Sequence, residues 1–139
     1  PMTDNNRMTE DETVERLMTH LKTQGWDIES YCLGQTRGYD IVATKKKQRM
    51  YVEVKGARAS DKSPTKKRAY FDSGQLRSHM GRAIIKTLET KHANPNAKIA
   101  IAHPEHPYLR TTLGHIIEEV KKMGVIHFWV REDGKVTLK

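Results

Sequence analysis

The sequence predicts a single α/β domain with a mixed central sheet and helices on both faces, in the order αβββαβαββ. Two features suggest it: apolar stripes of helical period at three places, and short runs rich in β-branched and aromatic residues between them. A length of 139 residues fits one domain large enough to bury a core. No internal repeat or low-complexity stretch interrupts the pattern.

Pro1 to Met8 is expected to be a loose tail, leaving 9–139 as the domain. Val14, Leu17, Met18 and Leu21 then fall at i, i+3, i+4 and i+7, with Thr9 as cap and Gly25 as stop, which predicts the first helix. Trp26 to Leu33 reads as a strand, with Cys32 as a packing residue in it. Tyr39–Thr44 and Arg49–Lys55 read as a hairpin around Lys45, Lys46, Lys47 and Gln48. Ala57 to Tyr70 is a long basic connector interrupted by Pro64. A second helix is expected from Asp72 or Ser73 to Lys91, burying Leu76, Met80, Ala83, Ile84 and Leu88. Lys98–Ala102 reads as a strand and Leu109 or Arg110 to Met123 as a helix with Leu113, Ile116, Ile117 and Val120 inward. Val125–Val130 is another strand, and Asp133-Gly134 predicts a final hairpin.

The first hairpin carries the chemistry. If Thr44 lies opposite Arg49, then Ala43 faces Met50, Ile41 faces Val52 and Tyr39 faces Val54, giving one apolar face. The other face then sets Asp40 opposite Glu53. A slip of one residue would mix charge into the buried face, so the hydrophobic pattern selects this register. Opposed residues have Cβ atoms about 4.5–5.5 Å apart, and like charges there destabilise the sheet. Something positive is therefore expected between them. Lys55 projects from the same face as Glu53, and a hard divalent cation is the more complete answer, because Mg²⁺ takes carboxylate, water and phosphate oxygens. A cation held there would polarise a phosphoryl oxygen, and a nearby lysine would orient water or stabilise developing charge. The blander reading is an amphipathic strand with Glu53 and Lys55 solvated; Gly38 before Asp40 and Gly56 after Lys55 weigh against it.

Lys and Arg total 25 against 17 Asp and Glu, a formal charge of +8 with pI near 9.7. That balance favours a polyanionic partner. Charge alone does not separate DNA from RNA or an anionic membrane. The single cysteine excludes an intrachain disulfide, and no long apolar run appears, so a cytoplasmic, reducing setting with no membrane is the expectation.

The run Gly38-Tyr39-Asp40-Ile41-Val42-Ala43, the lysine-rich turn and Val52-Glu53-Val54-Lys55-Gly56, preceded by a helix ending at Gly25-Trp26, resemble the PD-(D/E)xK nuclease superfamily. The likeness is greatest to archaeal-type Holliday-junction resolvases and Mrr-like nucleases and covers most of the chain. The resemblance implies a restriction-endonuclease-like three-layer domain and a metal-dependent DNA endonuclease using activated water. Asp40 and Glu53 would bind Mg²⁺ or Mn²⁺, the Val54 carbonyl would complete the metal shell, and Lys55 would assist attack.

Relatives often place a further glutamate on the first helix. Strict alignment puts Val14 there, and Glu15 is the nearest acid, with Asp11 and Glu12 a turn earlier. All three also suit the N-terminal part of a helix through its dipole. Gln75 falls where related nucleases often carry a polar residue, and a solvated first-turn glutamine explains it equally. Lys45, Lys46, Lys47, Arg58, Lys62, Lys66, Lys67, Arg68 and Arg77 are the expected DNA contacts. Family members often dimerise to cut two strands, so a homodimer is the assembly implied, although no interface is legible.

His103-Pro104-Glu105-His106-Pro107 superficially looks like a metal cluster, but its prolines oppose the helix on which H-E-x-x-H motifs work. A loop after a strand explains it better. The remaining histidines are scattered and read as packing or surface groups; His79, on the helix leaving the expected cleft, is the one worth testing. Two rivals stay open at this level: a non-catalytic nucleic-acid-binding module of the same fold, and an RNA-directed nuclease.

Overall fold

A computed structural model describes residues 7–34, 37–60 and 70–139. The first helix, α1, spans Glu10–Thr23. Thr9 caps it in a reciprocal box: the Glu12 amide donates to Thr9 Oγ1 at 3.2 Å and the Thr9 amide to Glu12 Oε1 at 2.9 Å. Strands β1 (Asp27–Tyr31), β2 (Ile41–Lys45) and β3 (Gln48–Val54) follow, then α2 (Ser73–Ala93), β4 (Lys98–Pro104), α3 (Pro107–Lys122), β5 (Ile126–Val130) and β6 (Val136–Thr137). The sequence-based order αβββαβαββ matches.

The strands form one sheet in chain order. β1, β2 and β3 are antiparallel, β3, β4 and β5 are parallel, and β6 returns antiparallel on β5. Each parallel step needs a crossover, supplied by α2 and α3. Alternation along the strands divides the core in two. Met50, Val52 and Val54 face α1 with Ile41, Ala43, Ala100 and Phe128. Ile99, Ile101 and Trp129 face α2 and α3 with Leu76, Met80, Leu113 and Ile117. The result is the three-layer α/β/α domain that the sequence predicts.

The expected hairpin register holds, with Ile41 opposite Val52, Ala43 opposite Met50 and Thr44 opposite Arg49. It stops at Ile41. Tyr39 does not continue the apolar face against Val54; its ring lies 4.6 Å from that of Tyr51 on the opposite side of the sheet. The chain bends at Asp40, so strict alternation cannot be extended across that residue.

Other expectations need correction. Met8 is no part of a loose tail: it is buried, and its carbonyl accepts the Ala57 amide at 2.8 Å. In α2 the buried stripe is Leu76, Met80, Ala83, Thr87 and Thr90, while Leu88 is 41% exposed. Thr90 can face inward because its hydroxyl donates to the Lys86 carbonyl at 2.7 Å. α3 begins at Pro107, earlier than its apolar period suggests, because His106 caps it by accepting the Tyr108 amide on Nδ1 at 3.0 Å.

Candidate functional site

Two short structural causes bring the acids together. The Val54 amide donates to Asp40 Oδ2 at 2.8 Å, so the carboxylate at the head of β2 is pinned beside the end of β3. Gly56, just past β3, lies against the start of α1; a Cβ there would sit 2.5 Å from the Glu10 nitrogen and 2.9 Å from the Thr9 carbonyl carbon. Only a glycine permits that approach. It brings the first residue of α1 to the acids.

The acid of α1 that comes near Asp40 and Glu53 is therefore Glu10. Burial, opposed by Lys55 and reinforced by Glu53 and Asp11, pushes its carboxyl up to about 6. Burial first, then the nearby Glu53 and Glu10 carboxylates, push Asp40 up to about 7, against the Val54 hydrogen bond and Lys86. Glu15, the acid selected from sequence, is instead exposed on the outer side of α1. The helical period that buries Val14, Leu17 and Met18 turns Glu15 away from the sheet.

Glu53 projects toward α2 and is flanked by two ammonium groups. Lys55 Nζ lies 3.6 Å from Glu53 Oε2, and Lys86 Nζ, reaching from α2, lies 3.3 Å from Glu53 Oε1. Lys86 also donates to the Gly38 carbonyl at 2.8 Å. His79, on the same helix, packs edge-on against Phe71 at 4.6 Å, and burial followed by the Lys55 charge lowers its pKa. The structure thus brings Asp40, Glu53 and Lys55 together, sets His79 near Lys55, and adds Glu10 and Lys86.

Neither addition is obvious in one dimension. Gly56 directly after Lys55 was the available signal for Glu10, since a glycine there invites close backbone approach. Lys86 lies well inside α2 and reaches the site only through packing of α2 across the sheet.

The expected DNA contacts scatter. Lys46 and Lys47 are exposed in a left-handed two-residue turn, φ +50° and +68°, at the far end of the hairpin from Glu53, roughly 20 Å away along the strand. Lys45 Nζ donates to the Gln24 carbonyl at 2.7 Å and closes the α1–β1 turn. Arg58 donates to the Arg7 carbonyl at 3.1 Å and pairs with Glu12 at 3.2 Å. Gln75 completes the α2 capping box, its Oε1 accepting the Asp72 amide at 2.9 Å. Arg77 is exposed on α2. Lys62, Lys66, Lys67 and Arg68 lie outside the described residues.

The histidine-proline run is structural. His103, in β4, is buried, its Nδ1 2.9 Å from Nε2 of buried His127 in β5. Burial, with Lys55 and His79 adding positive charge, lowers His103 to about 3; burial and His103 also lower His127 well below the usual histidine range. Both rings stay neutral. Glu105 pairs with Arg110, bonding its Nε at 2.8 Å, and His106 is the α3 cap.

Among the described residues no three His, Cys, Asp or Glu side chains are close enough together to hold a metal ion unaided. Asp40 and Glu53 still fit a hard cation, since Mg²⁺ commonly takes one or two protein carboxylates and fills its shell with water and phosphate. The Asp40 and Glu10 carboxyls, raised first by burial and then by neighbouring carboxylates, are groups whose charged forms a cation would favour. No helix among the described residues is long and apolar enough to cross a membrane.

No protein with a curated description and no solved structure matches the chain. One family model does: residues 9–68, from the α1 cap through the hairpin that holds Asp40, Glu53 and Lys55, match the family described as Protein NO VEIN, C-terminal.

Proposed function

We propose that this chain is a metal-dependent DNA endonuclease of the PD-(D/E)xK type, hydrolysing phosphodiester bonds with water. The observation that supports it most is geometric: Asp40, pinned by the Val54 amide at 2.8 Å, lies beside Glu53, whose Oε2 is 3.6 Å from Lys55 Nζ. Carboxylates half-buried near one another, as Asp40 and Glu10 are near Glu53, cost stability, and such costs concentrate at functional sites. Asp40 and Glu53 would hold Mg²⁺ or Mn²⁺, with the Val54 carbonyl as a further oxygen donor and Glu10 acting from farther off through a bound water. The bound cation would supply a polarised phosphoryl oxygen and a more acidic water.

The chain's own groups do the rest. The Val54 amide holds Asp40 in place, so little reorganisation is needed when substrate arrives. Lys55, 3.6 Å from Glu53, would orient water or stabilise charge developing on the phosphate. Lys86 offsets the Glu53 charge from the opposite side. The charge of +8 supplies the affinity for a polyanion. A homodimer is the assembly we propose for cutting both strands, in a cytoplasmic setting that keeps Cys32 reduced.

Cleavage tests this directly. Plain, nicked, branched and modified DNA, with matched RNA, would be incubated in Mg²⁺ and Mn²⁺. DNA cleavage by the wild type, lost by at least about 100-fold in a natively folded Glu53→Ala, is the expected outcome. Equal cleavage by Glu53→Ala contradicts the assignment, and preference for RNA redirects it.

One observation favours a second reading, a nucleic-acid-binding module without hydrolysis. Both Glu53 oxygens already face ammonium groups, which can substitute for a cation. Such a module would bind DNA and take up no Mn²⁺ at Asp40 and Glu53.

A further inference from the structure

Beside Glu53, on the α2 side of the sheet, a recess of about 270 Å³ is bounded by Gly38, Tyr39, Lys86, Glu89 and Thr90. Lys86 joins it to the acids, lying 3.3 Å from Glu53 Oε1 while donating to the Gly38 carbonyl. Tyr39 forms its aromatic wall. That ring is backed by Tyr51 at 4.6 Å, and the Tyr51 hydroxyl is tied to Asn94 Oδ1 at 3.1 Å. The Lys86 ammonium stands 5.6 Å from the Tyr39 ring centroid.

Beyond Tyr51 a second recess, of about 280 Å³, is lined by Lys47, Arg49, Tyr51 and the loop from Asn94 to Ala97. Alternation along β3 puts Glu53, Tyr51 and Arg49 on one face, so the path from acid to basic recess is about 13 Å. Arg49 is shared with Glu29 at 2.8 Å, which leaves exposed Lys47 as the principal cation at that end.

A half-buried aromatic ring, held from behind and bordered by a cation, offers a base a stacking partner. Glu89 adds an acceptor suited to an exocyclic amino group. A base within continuous duplex cannot reach such a wall, because its faces are covered by its neighbours. We infer that the Tyr39 recess takes an unpaired nucleobase next to the phosphate presented to Asp40 and Glu53, with the strand continuing past Tyr51 toward Lys47. The inference rests on the proposed DNA substrate and narrows it to DNA carrying an unpaired nucleotide beside the cut.

Equilibrium binding of the full chain in EDTA tests this without reading cleavage. The probes are a short duplex and the same duplex with one unpaired 2-aminopurine nucleotide. The wild type is expected to prefer the second by roughly tenfold, with altered 2-aminopurine emission on binding. Tyr39→Ala should reduce the preference to about twofold or less, and Tyr39→Phe should retain it. Glu89→Ala, at an exposed helix position, removes the acceptor and should lower the preference for the unpaired probe. Equal affinity of the wild type for both probes overturns the inference, as does an undiminished preference in Tyr39→Ala. A protein that shows the preference but never cuts sinks only the nuclease reading; one that cuts without the preference sinks only the recess.

Discussion

The Val54 amide donates to Asp40 Oδ2 at 2.8 Å, and this bond keeps a carboxylate beside Glu53 although burial and repulsion push its pKa up to about 7. The folded chain therefore holds the Asp40 proton more tightly than the unfolded chain. Stability from this group is full below its ordinary value near 3.8 and is lost as pH rises through about 7. His103 and His127 oppose that trend, since both are held neutral and their contribution falls below about pH 6.5.

A difference measurement separates the two. Asp40→Asn keeps an oxygen for the Val54 amide and removes the charge. In metal-free buffer its melting temperature relative to wild type should rise between pH 5 and pH 8, by about 4–8 °C for a change of about 1–2 kcal/mol. A flat difference across that range would show that Asp40 is not strained by its neighbours.

Gly56 has an equally specific consequence. In Gly56→Ala the new methyl would sit 2.5 Å from the Glu10 nitrogen, so α1 must move away from the end of β3. The expected cost is about 1–3 kcal/mol, together with weaker metal uptake as Glu10 withdraws. Gly114→Ala in α3 is the control, because nothing lies within 4 Å of its added methyl. It should be neutral or stabilising by up to about 1 kcal/mol. Thermal melts of both variants check the contrast, and equal melts would contradict the close approach.

Glu10 and Glu15 can be set against each other. Glu10→Gln should lower divalent-metal affinity or cleavage by about tenfold or more, whereas exposed Glu15→Gln should stay within about twofold. The reverse ranking would restore Glu15 as the functional acid.

The difference between those two glutamates shows where sequence reading stops. Register between Ile41 and Val52 was legible because a one-residue slip buries charge, and local pattern alone decides that. The position of Glu10 depends on a glycine beyond β3 packing against the helix cap, a tertiary contact with no periodic signature. Tyr39 was misplaced because a side-chain bond from Asp40 to the β3 backbone bends the chain, whereas alternation assumes a straight strand. Lys86 was hidden by its ordinary helical context, and the lysine turn, though rich in charge, lies at the far end of the hairpin.

Calorimetric titration with Mn²⁺ at pH 6 and pH 8 tests the central claim most directly. Binding should be stronger at pH 8, displace protons at pH 6, where Asp40 and part of Glu10 are still protonated, and vanish in natively folded Asp40→Asn and Glu53→Gln. Absence of Mn²⁺ binding at both pH values, or unchanged binding in those variants, would contradict a metal-dependent site at the β2–β3 hairpin.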